Sequence, residues 1–170
     1  MNRGRRMRPI CAVLIISIVL ITGSCYAEIT GTVLDGETGQ PIEGAVVLVE
    51  WTKTKGLPGL THTKPYKVFE SVTEKNGTFA LKKVLNPLVN PPRITIYKKG
   101  YVAWNNEYIF PGWVKRENFK LTEGMIIRLE HFKKEYSRAD HVYFLHSVTH
   151  WGKIMNEAYR WEELEKELKK

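Results

Sequence analysis

From residue 28 to residue 132 the chain repeats one pattern: short β-branched or alternating runs, each closed by Gly, Pro, Asn or Asp. Runs this short suit strands better than helices, which need several turns to bury a face. Ile29, Gly31 and Val33 alternate with Thr30, Thr32 and Leu34. The stretch Asp35-Gly36-Glu37-Thr38-Gly39-Gln40-Pro41 is turn chemistry, with Gly free to take positive φ and Pro fixing its own φ. Ala45-Val46-Val47-Leu48-Val49-Glu50-Trp51 is apolar and β-branched almost throughout and reads as a buried strand. Residues 53–66, with two Gly, two Pro and several Lys and Thr, read as a long loop. Residues 67–73 alternate again, and Asn76-Gly77 then signals a tight hairpin before Thr78-Phe79-Ala80-Leu81. A rigid Pro-rich connector at 86–92 leads into Arg93-Ile94-Thr95-Ile96-Tyr97. Lys99-Gly100-Tyr101 turns into a short strand ending near Trp104, and Met125-Ile126-Ile127-Arg128-Leu129-Glu130 closes the series. The expected architecture is mainly β: a sandwich of about seven antiparallel strands.

The tail, residues 133–170, changes character. Ile154, Ala158, Trp161, Leu164 and Leu168 recur at helical spacing, and from Ser137 onward there is no Pro and one Gly, Gly152. Ser137 is placed to cap the start, with Asp140 three residues on. The pattern predicts a C-terminal helical extension, either one long helix or two broken near Gly152.

The first 27 residues have the layout of a signal peptide. Four arginines without an acid precede Pro9, and a nearly unbroken apolar run from Ile10 to Ile21 leads to small residues. The run is shorter than the ~20 residues that span a bilayer. Two cleavage sites compete. Cys25-Tyr26-Ala27 would leave Glu28 first, whereas Gly23-Ser24-Cys25 is similar to a lipobox and would make Cys25 a lipidated N-terminus. Both cysteines, Cys11 and Cys25, lie in this segment, so the rest of the chain must hold its fold without disulfides. The expected location is outside the cytoplasm, in the periplasm or at the outer membrane, with membrane contact only through a lipid on Cys25.

The formal charge of +8 shrinks to +4 beyond residue 27, where 22 basic residues meet 18 acidic ones. No motif for reading bases accompanies it, so nucleic acid is not an expected partner.

Ile29-Thr30-Gly31-Thr32-Val33-Leu34-Asp35, followed by Thr38-Gly39-Gln40-Pro41-Ile42-Glu43-Gly44-Ala45-Val46-Val47, resembles the opening of carboxypeptidase regulatory-like domains. Thr73-Glu74-Lys75-Asn76-Gly77-Thr78-Phe79 and Lys98-Lys99-Gly100-Tyr101 resemble two later signatures of the same family, in the family's order. The resemblance covers residues 28–132. It implies a seven-stranded transthyretin-like sandwich without catalysis of its own. It is silent on 53–66, on 105–123 and on the tail.

No nucleophile elbow, paired carboxylate set or phosphate-binding Gly loop is present, so no catalytic residue and no cofactor are assigned. Trp104, Tyr108, Phe110 and Trp113 cluster in the second long loop. Such rings either stack on sugars or proteins or pack beneath the tail helix, whose own rings need partners. In the tail, His146 and His150 stand four apart, a spacing that suits two metal ligands, with His141 five residues earlier and Asp140 or Glu157 as an oxygen donor. The competing reading makes them ordinary half-buried helix residues, and no metal is assigned. The expected function is an exported, non-catalytic structural or interaction module of the bacterial envelope. Its expected partner is an envelope protein or a glycan. The alternatives are a carbohydrate- or peptide-binding module using the aromatic loop, or a minor metal-binding role for the tail histidines.

Overall fold

The apolar run that begins at Val46 is buried on both faces, and this organises the domain. The computed structural model describes residues 28–57 and 59–168. The expected leader, with Cys25, lies outside the described residues. Nine strands and two helices follow in order: β1 (Glu28–Asp35), β2 (Val46–Leu57), β3 (Leu60–Val72), β4 (Thr78–Lys82), β5 (Arg93–Tyr97), β6 (Trp104–Asn105), β7 (Tyr108–Ile109), β8 (Val114–Lys115), β9 (Met125–Leu129), α1 (Arg138–Val148) and α2 (Lys153–Leu168). One sheet has the order β4-β1-β9, a second has β3-β2-β5-β6, and β7-β8 form a separate small hairpin.

Alternate residues of β2 enter two different cores. Val47, Val49 and Trp51 face the three-stranded sheet, joining Ile29 and Val33 of β1, Phe79 and Leu81 of β4, and Ile127 and Leu129 of β9. Val46 and Leu48 face the other way and pack with Phe144, Leu145 and Val148 of α1 and Met155 and Tyr159 of α2. The result is three layers, sheet, sheet and helices, with the four-stranded sheet in the middle. Burying each large apolar side chain of the helix layer is worth about 1.5–3 kcal/mol, so the tail is bound to the sandwich by a core of its own.

Two glutamates fasten the helices at their junction. The Glu70 carboxylate on β3 accepts from the backbone N–H groups of Lys153, Ile154 and Met155 at 3.0, 3.1 and 2.8 Å. It thereby caps α2, whose free N–H groups and dipole favour an anion. Glu50 on β2, 1% exposed, accepts from the N–H groups of His150 and Trp151, both at 2.8 Å. The helices break at Gly152, where a Cβ would lie 2.8 Å from Glu70 Oε1 and 2.9 Å from both Leu48 methyls. Ser137 caps α1 as expected, accepting from Asp140 N–H at 3.2 Å.

The three sequence signatures meet in space. Asp35 accepts from the N–H groups of Glu37 and Thr38, both at 2.8 Å, and from the Tyr101 hydroxyl at 2.8 Å. His131 Nε2 approaches the same carboxylate at 2.7 Å. The Thr38 N–H, followed by the Tyr101 hydroxyl, the Glu37 N–H and His131, holds the Asp35 carboxyl well below the usual carboxylate range, against the opposing effect of desolvation. Gly77, at φ 74°, accepts from Val33 N–H at 2.9 Å. A Cβ there would lie 2.5 Å from the Val33 carbonyl oxygen. The motifs therefore join strand ends across the sandwich.

Three expectations need correction. The strand count is nine among the described residues, because β7 and β8 add a hairpin inside the second long loop, and β1 pairs with β9 in parallel, so the sandwich is not wholly antiparallel. The turn at Asn76-Gly77 is tight, with Gly77 N–H donating to Glu74 O at 2.8 Å. However, it links β3 and β4, which lie in opposite sheets, and is no hairpin. Residues 53–66 are not a loop. β2 and β3 run on together as a ribbon from Thr52↔Pro65 to Leu57↔Leu60. Pro65 is tolerated because β3 is an edge strand and the register shifts at Trp51/Thr52.

Candidate functional site

The second long loop is built around two asparagines. Asn105 is fully buried. Its amide nitrogen donates to Ile94 O at 3.3 Å and Thr95 Oγ1 at 3.0 Å, and its oxygen accepts from the N–H groups of Glu107 and Tyr108. This side-chain turn sends the chain into β7. Asn106 accepts from Ile94 N–H at 2.7 Å and donates to Pro92 O at 3.0 Å. Arg116 then clamps the base of the hairpin: its Nε donates to Asn105 O at 2.9 Å and its guanidinium lies 4.9 Å from the Trp104 ring centre. Burial pushes the Arg116 guanidinium below its ordinary pKa.

The four loop aromatics have different fates. Trp104 meets Phe119 edge-on at 5.4 Å and packs against the inner core. Phe110, 5% exposed, is not available to a partner. It lies beneath α1 among Phe132, Tyr136, His141 and Phe144, with centroids 5.0–6.4 Å away. Tyr108 and Trp113 remain 37% and 41% exposed. Their rings are 6.1 Å apart, and Trp113 continues to Tyr143 of α1 at 5.8 Å. Tyr143 is 66% exposed. Trp113 is held in the left-handed region, at φ 54°, a conformation that costs a non-glycine residue about 1 kcal/mol. The outcome is a row of three open rings, Tyr108–Trp113–Tyr143, whose inner edge is fixed by Trp113 packing on buried Phe144 at 5.1 Å. Sequence reasoning missed Tyr143, since only the packing of α1 decides which of its rings point outward. On the other side of Tyr108 is a groove of about 460 Å³. Asn106, Glu107, Lys115, Arg116, Asn118 and Phe119 are among its lining residues.

Of the tail histidines, His141 is set apart from the other two. His141 is fully buried; its Nε2 accepts from Ala103 N–H at 2.9 Å and its Nδ1 lies 2.8 Å from Glu162 Oε2. An Nε2 that accepts carries no proton, so His141 is the neutral Nδ1–H tautomer and donates to Glu162. With both nitrogens engaged it offers no site to a metal. Glu162, also fully buried, accepts from the Tyr97 hydroxyl at 2.7 Å, and Trp161 Nε1 donates to the same hydroxyl at 2.7 Å. Burial, then the Glu162 charge, pushes the Tyr97 hydroxyl far above its ordinary pKa. His146 pairs with Glu163 at 2.7 Å on the outer side of α1. His150 lies past the α1 C-cap, 3.0 Å from an Arg93 nitrogen and 3.8 Å from Glu50, so the helix ends before it, yet His146 and His150 line one open groove of about 370 Å³ with Glu157 and Glu163. Among the described residues, no group of three His, Cys, Asp or Glu is arranged to hold a metal ion.

No family model matches the chain, and no curated protein is similar to it at a significant level. Among solved structures it is similar to a streptococcal ancillary pilin, at 15% identity and a TM-score of 0.34, over 63% of this chain and 30% of that one. It is also similar to the C-terminal domain of the shaft pilin spaA from Lactobacillus rhamnosus GG, at 17% identity and a TM-score of 0.32, over 62% of this chain and 97% of that one.

Proposed function

We propose that this chain is an exported, non-catalytic contact module of the bacterial envelope, and that it engages a protein partner through the ring row Tyr108–Trp113–Tyr143. The observation that carries the reading is the row itself. Three open aromatic rings stand side by side, and Trp113 is held at φ 54° with 41% of its surface exposed. Large rings with few rotatable bonds supply contact area at low entropic cost, which suits a binding face. The polar clusters elsewhere support the non-catalytic part: His141, Glu162, Tyr97 and Asp35 spend their hydrogen bonds on joining layers and strands. The meeting of Asp35 with Tyr101, and of Gly77 with Val33, supports a place among carboxypeptidase regulatory-like domains.

The test is site-specific photocrosslinking in the native host, with the reactive group at position 143 and, as control, at exposed Leu85. A discrete protein adduct at 143, absent at 85 and lost on Trp113→Ala, is the expected outcome. Equal labelling at both positions contradicts the reading. A second reading, glycan binding, is favoured by the groove beside Tyr108, where polar groups flank a ring. It predicts oligosaccharide binding that is lost on Tyr108→Ala, and no protein adduct.

A further inference from the structure

The ribbon at the end of β2 and β3 is unlike the rest of the fold in composition. β5 pairs with β2 only from Val46 to Glu50; Asn90 still binds Thr52 and Thr54, and from Lys55 onward the two strands continue alone. From Lys55 to the turn and back to Lys67, the described residues are exposed. Two-stranded ribbons are marginal in water, and this one carries an added penalty. Lys53 faces Lys64 across the ribbon, and like charges directly opposite one another destabilise a pair; Lys55 lies on the same face, opposite His62. Lys67 follows at the base, where the Tyr66 ring takes Lys53 Nζ at 4.0 Å and Lys67 Nζ at 5.9 Å. No Asp or Glu lies between residues 51 and 69. The four lysines equal the whole net charge of +4 beyond residue 27, so the remainder of that chain is balanced. At the tip the same face ends in paired Leu57 and Leu60, 73% and 79% exposed.

We propose that this arm docks, lysine face and leucine tip together, on the surface of an anionic phospholipid bilayer. Charge complementarity requires a polyanion, and the paired leucines select among polyanions. A soluble acidic polymer offers them nothing, whereas a bilayer accepts them below the headgroup level while the lysine stems keep their ammonium groups among the phosphates. Among the described residues no helix is long and apolar enough to cross a membrane, and contact through the arm is peripheral. This extends the sequence expectation, which gave the membrane contact to Cys25 alone. It also stands apart from the ring row, since it uses a different part of the fold.

The experiment measures sedimentation of the full chain, as its host processes it, with vesicles of phosphatidylcholine alone and with 30% phosphatidylglycerol. The readout is the ratio of the two partition coefficients, in which any lipid on Cys25 cancels. Each surface lysine contributes about fivefold toward an anionic membrane. Lys55→Gln with Lys64→Gln is therefore expected to lower the ratio about 30-fold, without loss of thermal stability because a like-charge contact is relieved. Leu57→Ser with Leu60→Ser is expected to lower binding to the anionic vesicles about tenfold or more. A wild-type ratio near one overturns the proposal. So does a leucine variant that binds anionic vesicles as well as wild type, or polyphosphate binding that competes fully and depends on lysine alone; either would mark the arm as a site for soluble polyanions.

Discussion

Glu162 is where the helix layer is tied to the sheet, and replacing it with alanine has a calculable effect. The carboxylate is fully buried and accepts from Tyr97 on β5 and His141 on α1 at 2.7 and 2.8 Å, with an Arg138 nitrogen at 3.6 Å. Alanine leaves the His141 Nδ1–H and the Tyr97 hydroxyl proton without an acceptor in a dry core, and each orphaned donor costs about 1–3 kcal/mol. Loss of one member of a buried charged network falls in the same range, about 3–5 kcal/mol. For a domain of this size that corresponds to a fall in Tm of about 10–20 °C. The control is the neighbouring Glu163→Ala, which removes a half-exposed pair with His146 and should cost under about 1 kcal/mol. Urea unfolding of the two variants, followed by tryptophan fluorescence, gives both values. A Tyr97→Phe, Glu162→Ala double-mutant cycle should show a coupling above about 1 kcal/mol. Equal losses for Glu162→Ala and Glu163→Ala, or a coupling of zero, would refute the claim that this network joins the layers.

Two further outcomes follow from the same geometry. Deleting 137–170 uncovers Val46, Leu48, Tyr97 and Phe110 at once and should yield an aggregating product by light scattering; a soluble truncated chain of unchanged stability would show that the helices are dispensable. Asp35 titrates lower in the folded chain than its unfolded value of about 3.9. Its contribution is therefore complete above about pH 4 and is lost as pH falls from there toward the depressed folded value. Asp35→Asn should flatten the acid limb of the stability profile below pH 4, and an unchanged slope would mean that the carboxylate is not held as described.

The strands were legible where one face or both faces are buried. β2 could be read from Val46-Val47-Leu48-Val49 because it is the central strand between two cores, and every residue there must be apolar. The arm was not legible for the opposite reason: solvated on both faces, it has no apolar alternation, and its Gly56, Gly59 and Pro65 imitate a loop. The parallel β1–β9 pair could not be read because no local signal links strands about ninety residues apart. The break at Gly152 was visible as a lone glycine, but its cause, the approach of Leu48 and Glu70, comes from another layer. At the candidate site, the aromatic loop was visible in composition. Which rings it buries was not, because Phe110 and Trp113 both meet Phe144 of α1 and only the packing of that helix leaves Trp113 at its open edge beside Tyr143. His146 and His150 suggested a shared helix face that ends one residue too soon, at the Thr149 cap.

The proposed place of this domain is outside the cytoplasm, as a contact module. Its most direct test is the intact mass of the chain recovered from its host, with membrane, soluble exported and cytoplasmic fractions compared. The expected chain starts either at Cys25 with added acyl mass in the membrane fraction or at Glu28 in the exported fraction. A chain that starts at Met1 and stays in the cytoplasm would contradict it.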